Sequence, residues 1–126
     1  MNDQGDFVGF DVVIGNPPYV VVQDRHYIKN YLTGKCFDLY CYFFERGKNI
    51  LNLNGKLSFI TPSLFIKGVK YSSLQDYLIK NVDKLIIEDK GDNIFEGVSM
   101  PTAITFFENN INYNSLEWSD LFLNNP

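Results

Sequence analysis

The most constraining feature of this chain is a short β-branched run, Phe10-Asp11-Val12-Val13-Ile14-Gly15, that stops abruptly at Asn16-Pro17-Pro18. A run apolar on both faces fits a buried parallel strand rather than a half-solvated one. Proline has no N–H to give to a sheet ladder, so the strand must end near Gly15 and open into a loop. That loop then lies outside the carboxyl end of a sheet, where open α/β folds bind their ligands.

The rest of the chain follows the same grammar. Apolar residues at Leu39, Tyr42, Phe43, Ile50 and Leu53 predict a helix, with Asp38 as its cap and Asn54-Gly55 as its end. Lys56 to Thr61 reads as a second strand, stopped by Pro62. Ser72 to Asn81 predicts a second helix with Leu74, Tyr77 and Leu78 on its inner face, and Val82 to Glu88 and Thr102 to Phe107 read as two more strands. The loop from Lys90 to Pro101 is too short for a crossover helix. The first three strands should therefore be parallel and the fourth antiparallel to them, as on one side of a doubly wound α/β sheet.

Composition bounds the function. The 126 residues suffice for one modest domain, and the 16% aromatic content, with 11 Phe and 8 Tyr, can build a core or stack bases. The net charge of −4 argues that most phosphate contacts with any nucleic acid come from elsewhere; Lys67, Lys70 and Lys90 could touch phosphates or, as scattered lysines usually do, form only a solvated surface. No apolar run approaches a membrane span and the amino terminus is acidic, so a cytoplasmic location is expected, with no membrane partner. Cys36 and Cys41 have only His26 as a further soft ligand, so they read as reduced core residues and no metal site is expected.

The chemistry concentrates in Asn16-Pro17-Pro18-Tyr19. The Asn16 side-chain oxygen and the Pro17 carbonyl can both accept from a planar NH2 group, drawing its nitrogen toward tetrahedral geometry and freeing its lone pair to attack a methyl donor. No strong base is needed, because the gain comes from positioning and from stabilising the developing positive charge. Tyr19 can stack on the base that owns the amine. An Asn-Pro step alone is often only a turn, and it is the strand before it and the tyrosine after it that favour the catalytic reading.

A (D/N/S)PP(Y/F) motif directly after a strand resembles the signature of amino methyltransferases. Phe37-Asp38-Leu39-Tyr40, Asn54 to Ser63, and Asn93-Ile94-Phe95-Glu96-Gly97-Val98-Ser99 leading into Met100 to Ile104 are similar to the catalytic-half motifs of gamma-class adenine-N6 DNA methyltransferases of type II restriction-modification systems. The resemblance covers residues 10 to about 108. It implies a partial Rossmann-like sheet, S-adenosylmethionine as cofactor and double-stranded DNA as partner. By matching positions, Asn16 and Pro17 accept from a flipped adenine, Pro18 completes the loop, and Tyr19 and Phe95 contact the base. Asp38 falls at the active-site edge, as a cofactor contact or simply as a helix cap. Phe95 is either a pocket wall or a core plug, and Phe106 or Phe107 could be confused with it.

Methyltransferases of this kind place a Gly-rich cofactor turn upstream of the catalytic loop. Here nine residues precede Phe10, and Gly5 and Gly9 do not form such a cradle. Residues 1–108 are thus expected to be a catalytic half, inactive alone, and 109–126 an Asn-rich linker. The unpaired edge of the first strand is expected to promote self-association. A glutamine-N5 or RNA methyltransferase fragment, or a non-catalytic base-binding module, are the alternatives.

Overall fold

The computed structural model describes residues 5, 8–22, 30–34, 36–91 and 101–109. Four strands and two helices follow one another: β1 (Phe10–Gly15), α1 (Leu39–Asn49), β2 (Leu51–Pro62), α2 (Ser72–Asn81), β3 (Asp83–Gly91) and β4 (Thr102–Glu108). Two 3₁₀ turns, Ser63–Ile66 and Val69–Tyr71, join β2 to α2. The sheet order is β1-β2-β4-β3. β1 and β2 are parallel, and β4 is antiparallel to both β2 and β3. The expected strand directions are therefore found, with β4 inserted between β2 and β3.

Both helices cover the same face. Tyr40, Cys41 and Phe44 of α1 and Leu74, Tyr77 and Leu78 of α2 join Leu57, Phe59 and Phe107 of the sheet in one core, and the 3₁₀ turns add Phe65 and Tyr71. The other face is largely apolar yet open, with Val12, Ile14 and Ile86 exposed. Cys36 and Cys41 are free, buried thiols, and Cys36 Sγ lies 3.2 Å from Ser73 Oγ. Among the described residues no helix is long and apolar enough to cross a membrane.

β1, expected as a buried strand, is instead an edge strand with Phe10, Val12 and Ile14 exposed, since among the described residues nothing covers its outer face. The structure corrects three further readings. First, α1 ends at Asn49, with Arg46 and Lys48 in its last turn, where cations favour the helix dipole. Asn54-Gly55 instead makes a bulge inside β2: Asn54 takes a positive φ of 65°, and the register with β1 jumps from Leu51 opposite Phe10 to Lys56 opposite Val12. Any Cβ at Gly55 would meet the Phe10 and Asn52 carbonyl oxygens at 2.8 Å. Asn109 pins this bulge, since its N–H donates to Gly55 O at 2.8 Å and its side-chain amide donates to Leu51 O at 3.1 Å.

Second, α1 buries Tyr40, Cys41 and Phe44, while Phe43 is exposed, as is Leu53 in β2. Because residues 39–44 are apolar throughout, helical periodicity does not select a face. Tyr42 is buried in a smaller cluster with Val22, where its hydroxyl accepts from Phe37 N and donates to Gly34 O. Third, Asp38 occupies the N-cap position but its side chain makes no capping bond. The adjacent helical N–H, that of Leu39, donates instead to Val20 O at 2.8 Å.

One polar contact had no sequence signal. Glu45, buried on α1, accepts from Leu32 N, Thr33 N and Thr33 Oγ1 at 3.1, 2.9 and 3.0 Å, which satisfies its carboxylate and fixes the turn before the helix.

Candidate active site

The loop after β1 leaves the sheet beside the carboxyl end of β2, since Gly15 lies opposite Phe59. Its residues alternate in exposure: Asn16 faces out, Pro17 is buried, Pro18 is exposed and Tyr19 is half-buried. Buried Pro17 seats the loop, while the Asn16 carboxamide stays open to the outside. Among the described residues no hydrogen bond occupies the Pro17 carbonyl. The Pro17 carbonyl is thus open to a donor, and Asn16 Oδ1, which takes one bond from Tyr19, keeps a second lone pair.

Tyr19 folds back over this loop. Its hydroxyl donates to Asn16 Oδ1 at 2.6 Å and lies 3.4 Å from the Ile60 carbonyl. Burial raises the phenol above its ordinary tyrosine value, so it remains a protonated donor through the neutral range. A phenol O–H on Asn16 Oδ1 turns the carboxamide oxygen, rather than its NH2, toward the ring. The sequence could suggest Tyr19 as a stacking group, but not this bond or the Ile60 carbonyl, which is distant in sequence.

Beyond Tyr19 the chain runs against the start of α1. Val21 and Asp38 form an antiparallel bridge, and Val22 N donates to Phe37 O at 2.6 Å. Phe37 takes a positive φ of 61° to make this turn. Asp38 is mostly buried, and its carboxylate accepts from the Tyr71 hydroxyl in a short bond and from Lys70 Nζ at 3.3 Å. Burial and the bond to Asp38 push the Tyr71 phenol up to about 12, so it too stays a donor. Asp38 therefore ties together the chain after the Asn16–Tyr19 loop, the start of α1 and the second 3₁₀ turn.

A shallow apolar groove of about 320 Å³ flanks the loop, between Pro17 and Phe59 on one side and Phe43 and Arg46 of α1 and the following Ile50 on the other. Gly47 forms part of this wall, and a Cβ there would meet Leu57 Cδ1 at 2.6 Å. Phe95 lies outside the described residues, as does His26. The flanks of residues 92–100 are nonetheless placed: Gly91 and Pro62 both pair with Thr102, at the same end of the sheet as Asn16. Of the residues that resemble Phe95 in sequence, Phe107 is a fully buried core residue and Phe106 is half-buried opposite Ser58. Lys90 pairs with Glu88. No group of three or more His, Cys, Asp and Glu able to hold a metal occurs among the described residues.

Known proteins are similar to this chain in sequence and in fold. A sequence model of the Eco57I restriction-modification methylase family matches residues 1–95. The chain is 33% identical over 125 residues to the type II restriction enzyme and methyltransferase RM.Eco57I of Escherichia coli, covering 88% of this chain and 12% of that protein. It is 30% identical over 108 residues to the type II methyltransferase M.HincII of Haemophilus influenzae, covering 75% of this chain and 21% of that protein. Among solved structures, a Streptococcus thermophilus type I restriction-modification methyltransferase subunit superposes with a TM-score of 0.63 at 21% identity, over 82% of this chain and 24% of that one. A Listeria monocytogenes protein described as a class I S-adenosylmethionine-dependent methyltransferase gives 0.71 at 17% identity, over 86% and 35%. The chain thus has the α/β fold of class I methyltransferases and spans a minor part of each of these relatives. On the family match across residues 1–95, the chain belongs to the Eco57I restriction-modification methylase family.

Proposed function

We propose that this chain supplies the acceptor side of a DNA methyltransferase that moves a methyl group from S-adenosylmethionine to the N6 amine of an adenine flipped out of a duplex. The observation that carries this reading is the juxtaposition, at the carboxyl end of β1, of the Asn16 carboxamide, whose oxygen is already oriented by the Tyr19 hydroxyl, with a Pro17 carbonyl that accepts no hydrogen bond among the described residues. Two acceptors on one amino group compete with the delocalisation of its lone pair into the ring, and they stabilise the positive charge that grows on nitrogen during transfer. Tyr19 supplies the stacking face, and Phe95 is proposed as a second wall of the base pocket.

The described residues do not by themselves fit the cofactor. They include no Gly-rich turn between a strand and a helix upstream of β1, and both oxygens of Asp38, the one expected cofactor contact, are engaged by Lys70 and Tyr71. That engagement supports a positioning role for Asp38, acting through its bridge to Val21. The donor, which would supply an electrophilic methyl group, is therefore proposed to sit mainly on other parts of the protein. The open β1 edge, the bare sheet face and the apolar groove are where those parts would pack. Without them, the same surfaces should pair between copies of the chain. The isolated chain is expected to sediment with a concentration-dependent mass, and a strict monomer at all concentrations would contradict this. A DNA substrate also implies the cytoplasm as its location.

A glutamine side chain presents the same planar NH2 group, so the loop geometry alone does not separate it from adenine. The restriction-modification relatives favour DNA. In the full-length protein carrying this chain, an adenine-containing oligonucleotide should compete for methyl transfer and a glutamine-containing peptide should not. The opposite result would transfer the reading to a protein substrate, and competition by neither would favour a non-catalytic module.

A further inference from the structure

The structure assigns a DNA-contacting role to the turn Ser63–Tyr71, with Lys67 reaching a backbone phosphate and the neighbouring Val69 lying against the sugar or base beside it. The assignment rests on the DNA reading above.

Position is the first argument. The turn begins directly after Pro62, so it projects from the same end of the sheet as the Asn16 loop on the neighbouring strand. A duplex that delivers a base to Asn16 must pass its flanking backbone close to this end.

Construction is the second. Phe65, Ile66 and Tyr71 root the turn in the core. Gln75 Nε2 donates to Phe65 O at 2.8 Å and to Gly68 O at 3.2 Å, and Ser63 N donates to Pro101 O at 3.0 Å. Gly68 is needed for the tight packing, since a Cβ there would meet the Tyr71 ring at 2.7 Å. Lys70 and Tyr71 bind Asp38, which couples the turn to the catalytic loop through Val21. The turn is thus held from both sides, and what it presents outward is displayed in a fixed place.

Chemistry is the third. Val69 is 89% exposed, more than any other large apolar side chain among the described residues, and Leu64 beside it is 59% exposed. Lys67 is exposed and has no ion-pair partner among the described residues. From Leu57 to Gln75 the chain contains no Asp or Glu, although its net charge is −4. A local cationic and apolar tip on an otherwise acidic chain complements a polyanion with apolar sugar and base faces.

The test uses the full-length protein carrying this chain and a duplex containing its methylation site, with affinity measured across a salt series. Lys67→Gln is expected to weaken binding by about 3–10-fold at moderate salt and to reduce the slope of log K against log salt by about 0.9, the release expected for one phosphate contact. Val69→Ser should weaken binding with the slope unchanged. Lys84→Gln, which removes an equal charge at the far end of the sheet where Lys84 pairs with Glu108, should alter neither. DNA binding with methylation intact and the same slope in Lys67→Gln as in the wild type would overturn this assignment alone. Equal loss in Lys84→Gln would also overturn it, and a wild-type protein that does not bind DNA would overturn the DNA reading with it.

Discussion

Replacing Asn16 by alanine in the full-length protein carrying this chain should lower the kcat of the proposed methyl transfer by about 10²–10³-fold, the usual effect of deleting one preorganised group that stabilises transition-state charge. The side chain is exposed and lies outside the core, so folding should be unaffected. DNA affinity should also hold, because the oxygen matters most when charge develops on the attacking nitrogen. Asn16→Asp keeps an acceptor oxygen and should lose less. The measurement is single-turnover methylation alongside a DNA-binding isotherm. A kcat within about threefold of wild type would show that Asn16 is only a turn residue; equal losses in binding and rate would place its role in ground-state recognition.

Phe44→Ala should be the most damaging change to stability. Its ring is fully buried, with centroids 5.3 Å from Phe59 and 5.8 Å from Phe65, and so joins α1 to β2 and to the first 3₁₀ turn. Removing a buried phenylalanine costs about 3–5 kcal/mol in transfer and cavity terms. That is a large share of the roughly 5–15 kcal/mol that stabilises a typical domain. Urea denaturation should show a lower midpoint at an unchanged slope. A loss under about 1 kcal/mol would mean that the site collapses around the missing ring. The damage should reach the Asn16–Tyr19 loop as well, because Phe59 is also a wall of the groove beside Pro17.

The boundaries of β1 and α2 were legible because short-range patterns define them. A β-branched run meeting two prolines can end in only one place, and Leu74, Tyr77 and Leu78 fall on one helical stripe. The buried face of α1 was not legible, because six consecutive apolar residues from Leu39 to Phe44 leave the period undefined. Asn54-Gly55 was legible as a turn but not as a bulge, since a bulge is set by the partner strand and by Asn109, 55 positions along the chain from Asn54. In the site, Asn16 to Tyr19 stood out by residue type and context. The Tyr19 bond to Asn16, the Ile60 carbonyl and the Lys70 and Tyr71 contacts to Asp38 did not, because they depend on how β2 and the turn after it are placed in space. Phe95 is outside the described residues, and only the flanks of its segment, Gly91 and Thr102, are placed.

The most direct test is the identity of the methylated product. The full-length protein carrying this chain is incubated with methyl-labelled S-adenosylmethionine and duplex DNA, and the DNA is digested to nucleosides and resolved by mass spectrometry. The geometry of Asn16 and Pro17 predicts label on N6-methyladenine nucleoside, lost in Asn16→Ala. Label on a carbon of cytosine, or on a glutamine of a protein with none in DNA, would contradict it.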